Sequence, residues 1–332
     1  MRGAQKKTWP ELRKAWTEFD TRDQVVDFVN RLHERTEIET ARLLKWLGLS
    51  RSKFYDWRKR YGLANEHNGK VPRDWWLQEW EKQAAVDFFI QHPRDGYRRL
   101  AYMMIDADVV ACAPSTIYRV LKDAGVLAKS TAVPSKKGTG FVQPEKAHQE
   151  WHIDVTYLNL SGTFYYLCSI LDGYSRFIVE WEIRESMKEP DVELIVQRAL
   201  EKFPGVKPKL ISDNGPQFIA KDFKEFIRLS GMTHVRTSPY YPQSNGKQER
   251  MQGTVKRECI REENPATEEE ARRVAGKYVD YYNGERLHSA IGYVTPRDML
   301  EGRAEAIQTE RERKLAEARE QRKLNRRAER AD

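Results

Sequence analysis

The sequence predicts a multidomain protein: two all-α modules, then an α/β domain with a mixed five-stranded sheet flanked by helices, then a charged C-terminal helix. Three observations predict it. Apolar residues recur at helical spacing through the first 127 residues, β-branched and aromatic runs separated by turn signals crowd residues 151–183, and from residue 300 the chain is Glu, Arg, Lys and Ala with few large apolar side chains. A chain of 332 residues has room for two or three domains of ordinary size.

The first helix is predicted over residues 23–34, DQVVDFVNRLHE, and two more over residues 38–62, IETARLLKWLGLSRSKFYDWRKRYG, broken at GLS. A helix, a short turn containing Gly, and a second helix capped by Ser50 and rich in Arg, Lys and aromatics form a helix-turn-helix pattern. On that reading Arg51, Ser52, Lys53 and Arg58 face DNA; the plainer alternative is a three-helix bundle with a solvated basic face. The pattern recurs: residues 52–63 align with residues 115–126 at an offset of 63, matching Ser52 with Ser115, Tyr55 with Tyr118 and Gly62 with Gly125. Ahead of the second copy, DGYRRLAYMMI supplies another first helix, so a second module is expected, with Ser115, Thr116 and Arg119 at its DNA-facing positions.

Residues 128–147 are rich in Lys, Gly, Ser and Pro without a period, a basic linker. Three antiparallel strands follow at WHIDVTYLNL, TFYYLCSILDG and SRFIVEWEI, then a helix near residues 190–203, the short strand PKLISD, a helix near 219–230 and the strand MTHVRT. The order βββαβαβα describes a mixed sheet. Two long helices close the domain, one opening near residue 243 and one within EEEARRVAGKYVDYYNGERLH. The domain boundaries are therefore 1–64, 75–127, 128–147 (linker), 148–298 and 299–332, with the last segment expected as a solvated single helix or frayed arm.

The net charge is +8, and its placement is informative. Residues 1–140 hold 26 Lys and Arg against 18 Asp and Glu, whereas residues 141–332 hold 32 against 32. The whole excess lies where a polyanion would be met. No apolar run reaches the roughly 18 residues of a membrane span and the N-terminus lacks a signal-peptide core, so a cytoplasmic protein is expected. Cys112, Cys168 and Cys259 are far apart, without metal-finger spacing. His148 and His152 stand four apart, but no cysteine pair follows them to complete a zinc site.

Three acids sit in contexts that turn chemistry alone does not explain. Asp154 lies in WHIDVTY, where strand alternation would place an apolar side chain, so its carboxylate is costly there unless compensated. Asp213 follows the fourth strand in LISDNGPQF, where Asn214 and Gly215 suit a turn that needs positive φ. Glu249 shares one helical stripe with Asn245, Gln252 and Lys256, at spacings of four, three and four.

The interval between Asp213 and Glu249 is 35 residues. With it, WHIDVTY, LDGYSR, SDNGPQF, YYPQSNGKQER, a basic residue seven after the glutamate (Lys256) and YYNGERLHSAIGYVTP make residues 147–297 resemble the retroviral-integrase-like transposases. Asp154, Asp213 and Glu249 stand at the positions of their Asp-Asp-35-Glu triad. The tandem front end extends the likeness to transposases of bacterial insertion sequences; the zinc module of retroviral integrases has no counterpart. The resemblance implies a ribonuclease-H-like core, DNA cleavage and strand transfer, and a homo-oligomer that synapses two terminal inverted repeats.

It also implies two Mg²⁺ or Mn²⁺ ions on the triad, Asp154 bridging both and Asp213 and Glu249 each binding one, with DNA contacts from Asn245, Lys247 and Lys256. Three carboxylates within ~5 Å repel by about 3 kcal/mol per pair at an effective dielectric near 20, which favours a cation among them. The assignment requires the three to converge. Gly215, Pro216, Tyr240 and Tyr241 sit in loops that suit a strand end or ordinary packing, His288 suits a capping role, and Asp172 belongs to a hairpin turn. Two rival functions share parts of this pattern: a tandem helix-turn-helix regulator, and a ribonuclease-H-like nuclease acting on hybrids.

Overall fold

A computed structural model describes residue 12 and residues 17–63, 73–127, 143–236 and 246–329. The chain divides into two compact units, residues 1–76 and 77–332. In the first, helices α1 (Phe19–Thr36), α2 (Thr40–Leu47) and α3 (Arg51–Lys59) close over Val25, Val26, Val29, Leu43, Leu44, Phe54 and Trp57. Gly48, at φ 65°, ends α2, and the Ser50 hydroxyl accepts from the Lys53 amide at 3.3 Å, so the turn forms where the sequence places it.

The second unit begins with α4 (Glu79–Gln91), α5 (Tyr97–Asp106) and α6 (Pro114–Asp123) around Leu100, Met104, Ile117 and Leu121. Helix α6 starts 63 residues after α3, and Gly62 and Gly125 stop the two at φ 75° and 71°, so the repeat is kept at its second helix. It is not kept at the turn. Between α5 and α6 the chain buries Val110 and Cys112 in the module core, which lengthens the connection relative to the tight turn at Gly48. Helix α4 lacks a strong amphipathic period, since it buries little besides Ala85 and Glu81, and no sequence signal singled it out.

The sheet runs β3-β2-β1-β4-β5, with β1 (Glu150–Leu160), β2 (Thr163–Asp172) and β3 (Ile178–Arg184) antiparallel, and β4 (Lys209–Ser212) and β5 (Thr233–Arg236) parallel to β1. This is the mixed five-stranded, ribonuclease-H-like sheet flanked by helices that the sequence predicts. One face carries Trp151, Ile153, Cys168 and Ile170 against α7 (Glu189–Lys202), the short α8 (Pro216–Ile219) and α9 (Lys221–Leu229). The other carries Leu158, Leu160 and Leu167 against α10 (Gly246–Val255) and α12 (Glu268–Gly284). After α10 the helix widens to a π-turn over Lys256–Ile260 before α11 (Arg261–Glu263), which turns Cys259 and Ile260 into the same core.

After α13 (Pro296–Leu300), α14 (Ala304–Glu329) corrects the expectation of a solvated arm. Its few apolar residues hide the reason: arginines, not leucines, fix it. Arg322 is buried and donates to Glu81 of α4 at 2.7 and 2.9 Å and to the Ala111 carbonyl at 2.7 Å. Arg311 grips Asp106 at 2.6 and 2.7 Å and covers the Tyr102 ring, which stacks on Tyr293.

Candidate active site

Strands β1 and β4 are parallel, with His152 opposite Ile211 as the last paired position; Asp154 lies two residues further along β1, and Asp213 directly follows the end of β4. Asp154 is half-buried on the sheet face covered by α10. Burial first, then Asp213, then Glu249 hold its carboxyl well above the usual carboxylate range, at about 7, while the Val155 amide and Gln252 oppose the rise. Burial is the largest cause, and of the two acids Asp213 acts on Asp154 more strongly than Glu249.

Each carboxylate of the pair is turned onto a backbone amide: Asp154 Oδ1 accepts from Val155 at 2.9 Å and Asp213 Oδ1 from Gly215 at 2.9 Å. The three acids are thus neighbours without closing into a ligand cluster. Among the described residues no group of three or more His, Cys, Asp or Glu stands ready to hold a metal ion. None of the three makes an ion pair among the described residues, and Glu249 is exposed on α10.

The turn after β4 differs from expectation in one respect. Gly215 has φ −57° and Asn214 is not at positive φ, so no left-handed residue makes the turn. The glycine leaves room for two side-chain ends: a Cβ would stand 2.7 Å from Gln217 Nε2 and 3.1 Å from Asp213 Oδ1, so both would have to shift.

Helix α10 is fixed by a residue that the sequence did not single out. Gln248 is wholly buried and donates to the Ser169 carbonyl and hydroxyl of β2, each at 2.7 Å. It stands one residue before Glu249 and sets that helix against the sheet. No local signal marks it, because an amide inside NGKQER reads as one more polar surface group. Lys256 Nζ donates to Thr156 at 2.6 Å and lies within the field of Asp154; burial lowers its pKa and Asp154 opposes that.

The remaining sequence-predicted residues divide. Lys247 donates to the Gly173 carbonyl at 3.2 Å, and burial brings its pKa down to about 8. Arg51, Ser52 and Arg58 are exposed on α3, whereas Lys53 donates to the Leu12 carbonyl at 2.8 Å and covers Trp57, so it is spent inside its own module. Ser115 and Arg119 are exposed on α6, where Arg119 reaches the Ser115 carbonyl and the Thr116 hydroxyl. Asn245, Tyr240 and Tyr241 lie outside the described residues.

Asp172 builds its turn, accepting from His148, Ser175 N and Ser175 Oγ at 2.7 to 2.8 Å. His148 accepts from the Trp151 indole at 3.2 Å. His288 Nδ1 caps Ala290 at 3.2 Å, as expected.

The arrangement resembles known proteins along most of the chain. The integrase core domain family matches residues 144–242, and a further integrase core domain description matches residues 230–296. The transposase for insertion sequence element IS629 of Shigella sonnei is 23% identical over 79% of this chain and 91% of its own length. The uncharacterized 31.7 kDa protein of insertion element IS407 of Burkholderia multivorans is 24% identical over 80% and 91%. Among solved structures, the HTLV-2 integrase catalytic core domain in complex with magnesium aligns with 47% of this chain and 97% of its own at 18% identity and a TM-score of 0.39.

Proposed function

We propose that this chain is an integrase-core DDE transposase of an insertion element, that it binds the terminal inverted repeats of its own element and that it cuts and rejoins DNA strands at Asp154, Asp213 and Glu249. One observation supports this above the others: β1 and β4 are parallel neighbours, with Asp154 two residues past the last paired position on β1 and Asp213 directly after β4, and both Asp213 and Glu249 raise the Asp154 pKa.

Hard carboxylate oxygens without ion-pair partners among the described residues suit Mg²⁺ or Mn²⁺. When bound, two such ions supply an activated water or 3′-hydroxyl and neutralise charge at the leaving oxygen. The protein's own part is positional. Gln248 pins α10 to β2, Gly215 lets the chain fold tightly round Asp213, and Lys256, held by Thr156, offers its ammonium to a phosphate beside Asp154.

The modules at 1–64 and 75–127 read the ends, with Arg51, Ser52, Arg58, Ser115, Thr116 and Arg119 as contacts and Lys53 as an internal brace. Asn245 and Lys247 add contacts near Glu249, and two or more copies synapse the ends in the cytoplasm, at the nucleoid. No helix among the described residues is long and apolar enough to cross a membrane.

The test is strand cleavage and strand transfer on duplexes carrying the repeats that flank the encoding gene. Asp154→Asn, Asp213→Asn and Glu249→Gln are each expected to lose both reactions and keep end binding. Activity surviving all three substitutions overturns the assignment, and cleavage of an RNA strand in a hybrid instead of a DNA end favours a nuclease.

A further inference from the structure

Arg176, on the turn after β2, and Lys247 and Arg250, on either side of Glu249 in α10, form a group of cations without an ion pair among the described residues. The turn after β2 is held rigidly by Asp172, and it places Arg176 at φ 65°, a strained conformation for a side-chain-bearing residue. The guanidinium is then buried with Nε and Nη1 lacking any hydrogen-bond partner, while Nη2 reaches only Gln143 at 3.4 Å. A buried donor without an acceptor costs about 1–3 kcal/mol, and more when charged.

Its neighbours add to the charge. Lys247 and Arg250 approach from α10, on either side of Glu249, and both act on Arg176 or feel it. Across the group, His288 is pushed down to about 3 by burial and by Arg286, Arg176, Arg99 and Arg250. The nearby acids are already engaged: Asp172, which acts on both Arg176 and Lys247, accepts from the His148 amide and from the Ser175 amide and hydroxyl. Glu258 is held by Arg286 at 2.7 and 2.8 Å and by Tyr278, Asp95 by Arg99 at 2.6 Å, and Glu150 by Lys209 at 3.0 Å. Among the described residues Arg176, Lys247 and Arg250 make no ion pair. Half-buried Arg176 and Lys247, with exposed Arg250 beside them and no ion pair among the three, suit an anion that arrives from outside. A guanidinium with N–H donors to spare suits the oxygens of a phosphodiester.

We propose that Arg176, Lys247 and Arg250 form a phosphate clamp that grips the DNA backbone next to the bond being cut, with Arg176 as its positioning residue. This rests on the strand-transfer reading of Asp154, Asp213 and Glu249, and adds to it a site on the turn after β2 that places the strand.

The experiment measures binding of the full chain to a 40-base-pair duplex of arbitrary sequence, in chelator, over a range of salt. Arg176→Gln and Arg250→Gln should each lower the slope of log affinity against log salt by about one, the signature of one lost phosphate contact, and weaken binding roughly tenfold. Arg176→Lys, which keeps the charge and loses the fork, should keep most of the slope. In the absence of DNA, Arg176→Gln should melt no lower than the wild type, because the guanidinium it removes has two buried nitrogens without a partner and only a 3.4 Å contact to Gln143.

An unchanged slope in both glutamine variants overturns the clamp, as does a melting loss in Arg176→Gln that accounts for the weaker binding. Inorganic phosphate that stabilises the wild type but not Arg176→Gln, with the DNA slope unchanged, overturns it in favour of a free-anion site. Failure of the underlying reading looks different: the slope depends on Arg176, yet no DNA strand is cut when Mg²⁺ is supplied.

Discussion

Removing one arginine from the C-terminal helix should loosen a helix more than two hundred residues away in sequence. Arg322 and Glu81 are both almost fully enclosed, their side chains 7% and 6% exposed. Three contacts join them at 2.7 to 2.9 Å, and a fourth ties Arg322 to the Ala111 carbonyl at 2.7 Å. Arg322→Met keeps the length and the apolar stem but strands the Glu81 carboxylate, left with the Gln78 amide at 2.8 Å. Breaking a buried pair from one side costs about 3–5 kcal/mol, most of it the burial of the orphaned charge. In hydrogen exchange, that is roughly a hundred- to three-thousandfold loss of protection at the backbone amides of α4 and α14, from about 1.4 kcal/mol per decade.

The double variant Arg322→Met with Glu81→Met removes both charges and should recover most of the loss, less about 1 kcal/mol for the cap that Glu81 gives Gln78. The reasoning is refuted if Arg322→Met leaves exchange in α4 and α14 unchanged, or if the double variant is no better protected than the single one.

Two further outcomes are expected. Gln248→Leu leaves the Ser169 hydroxyl and carbonyl without their donor, costing about 1–3 kcal/mol of stability, and shifts Glu249 enough to slow strand transfer on the order of a hundredfold while end binding persists. Equal loss of binding and transfer would contradict a positioning role. His288, held at about 3 by burial and the surrounding arginines, is neutral in the fold but titrates near 6.5 when unfolded. Its contribution is therefore fully present above pH 6.5 and falls as the pH drops, by about 2 kcal/mol at pH 5. His288→Asn can still cap Ala290 and should remove that slope from a melting series; an unaltered pH profile would contradict the assignment.

The sequence carried the order of strands and helices because each core element has a clean period, and β1, β2 and β3 are bounded by turn residues. It marked Asp154, Asp213 and Glu249 as candidates because each stands in a distinctive local context and a 35-residue interval separates the last two. What escaped it is long-range. Gln248 is defined by Ser169 and Arg322 by Glu81, pairs that folding alone brings together. Lys53 and Arg58 look alike in sequence, yet one braces Leu12 and the other faces solvent. The tail reads as solvated because its anchors are charged, and charge in a sequence does not reveal whether a partner waits in the fold. Gly215 suits a positive-φ turn by its residue type, yet it sits at φ −57° with the Gln217 and Asp213 side-chain ends close by, a setting that the sequence does not distinguish.

The central claim is that Asp154, Asp213 and Glu249 act as one metal site on DNA. Manganese uptake followed by electron paramagnetic resonance, with the full chain and a duplex bearing the element's end, tests it most directly. The account predicts ions bound tightly by the wild type and lost in Asp154→Asn, with partial loss in Asp213→Asn and in Glu249→Gln. Uptake that is the same in all four proteins would contradict it.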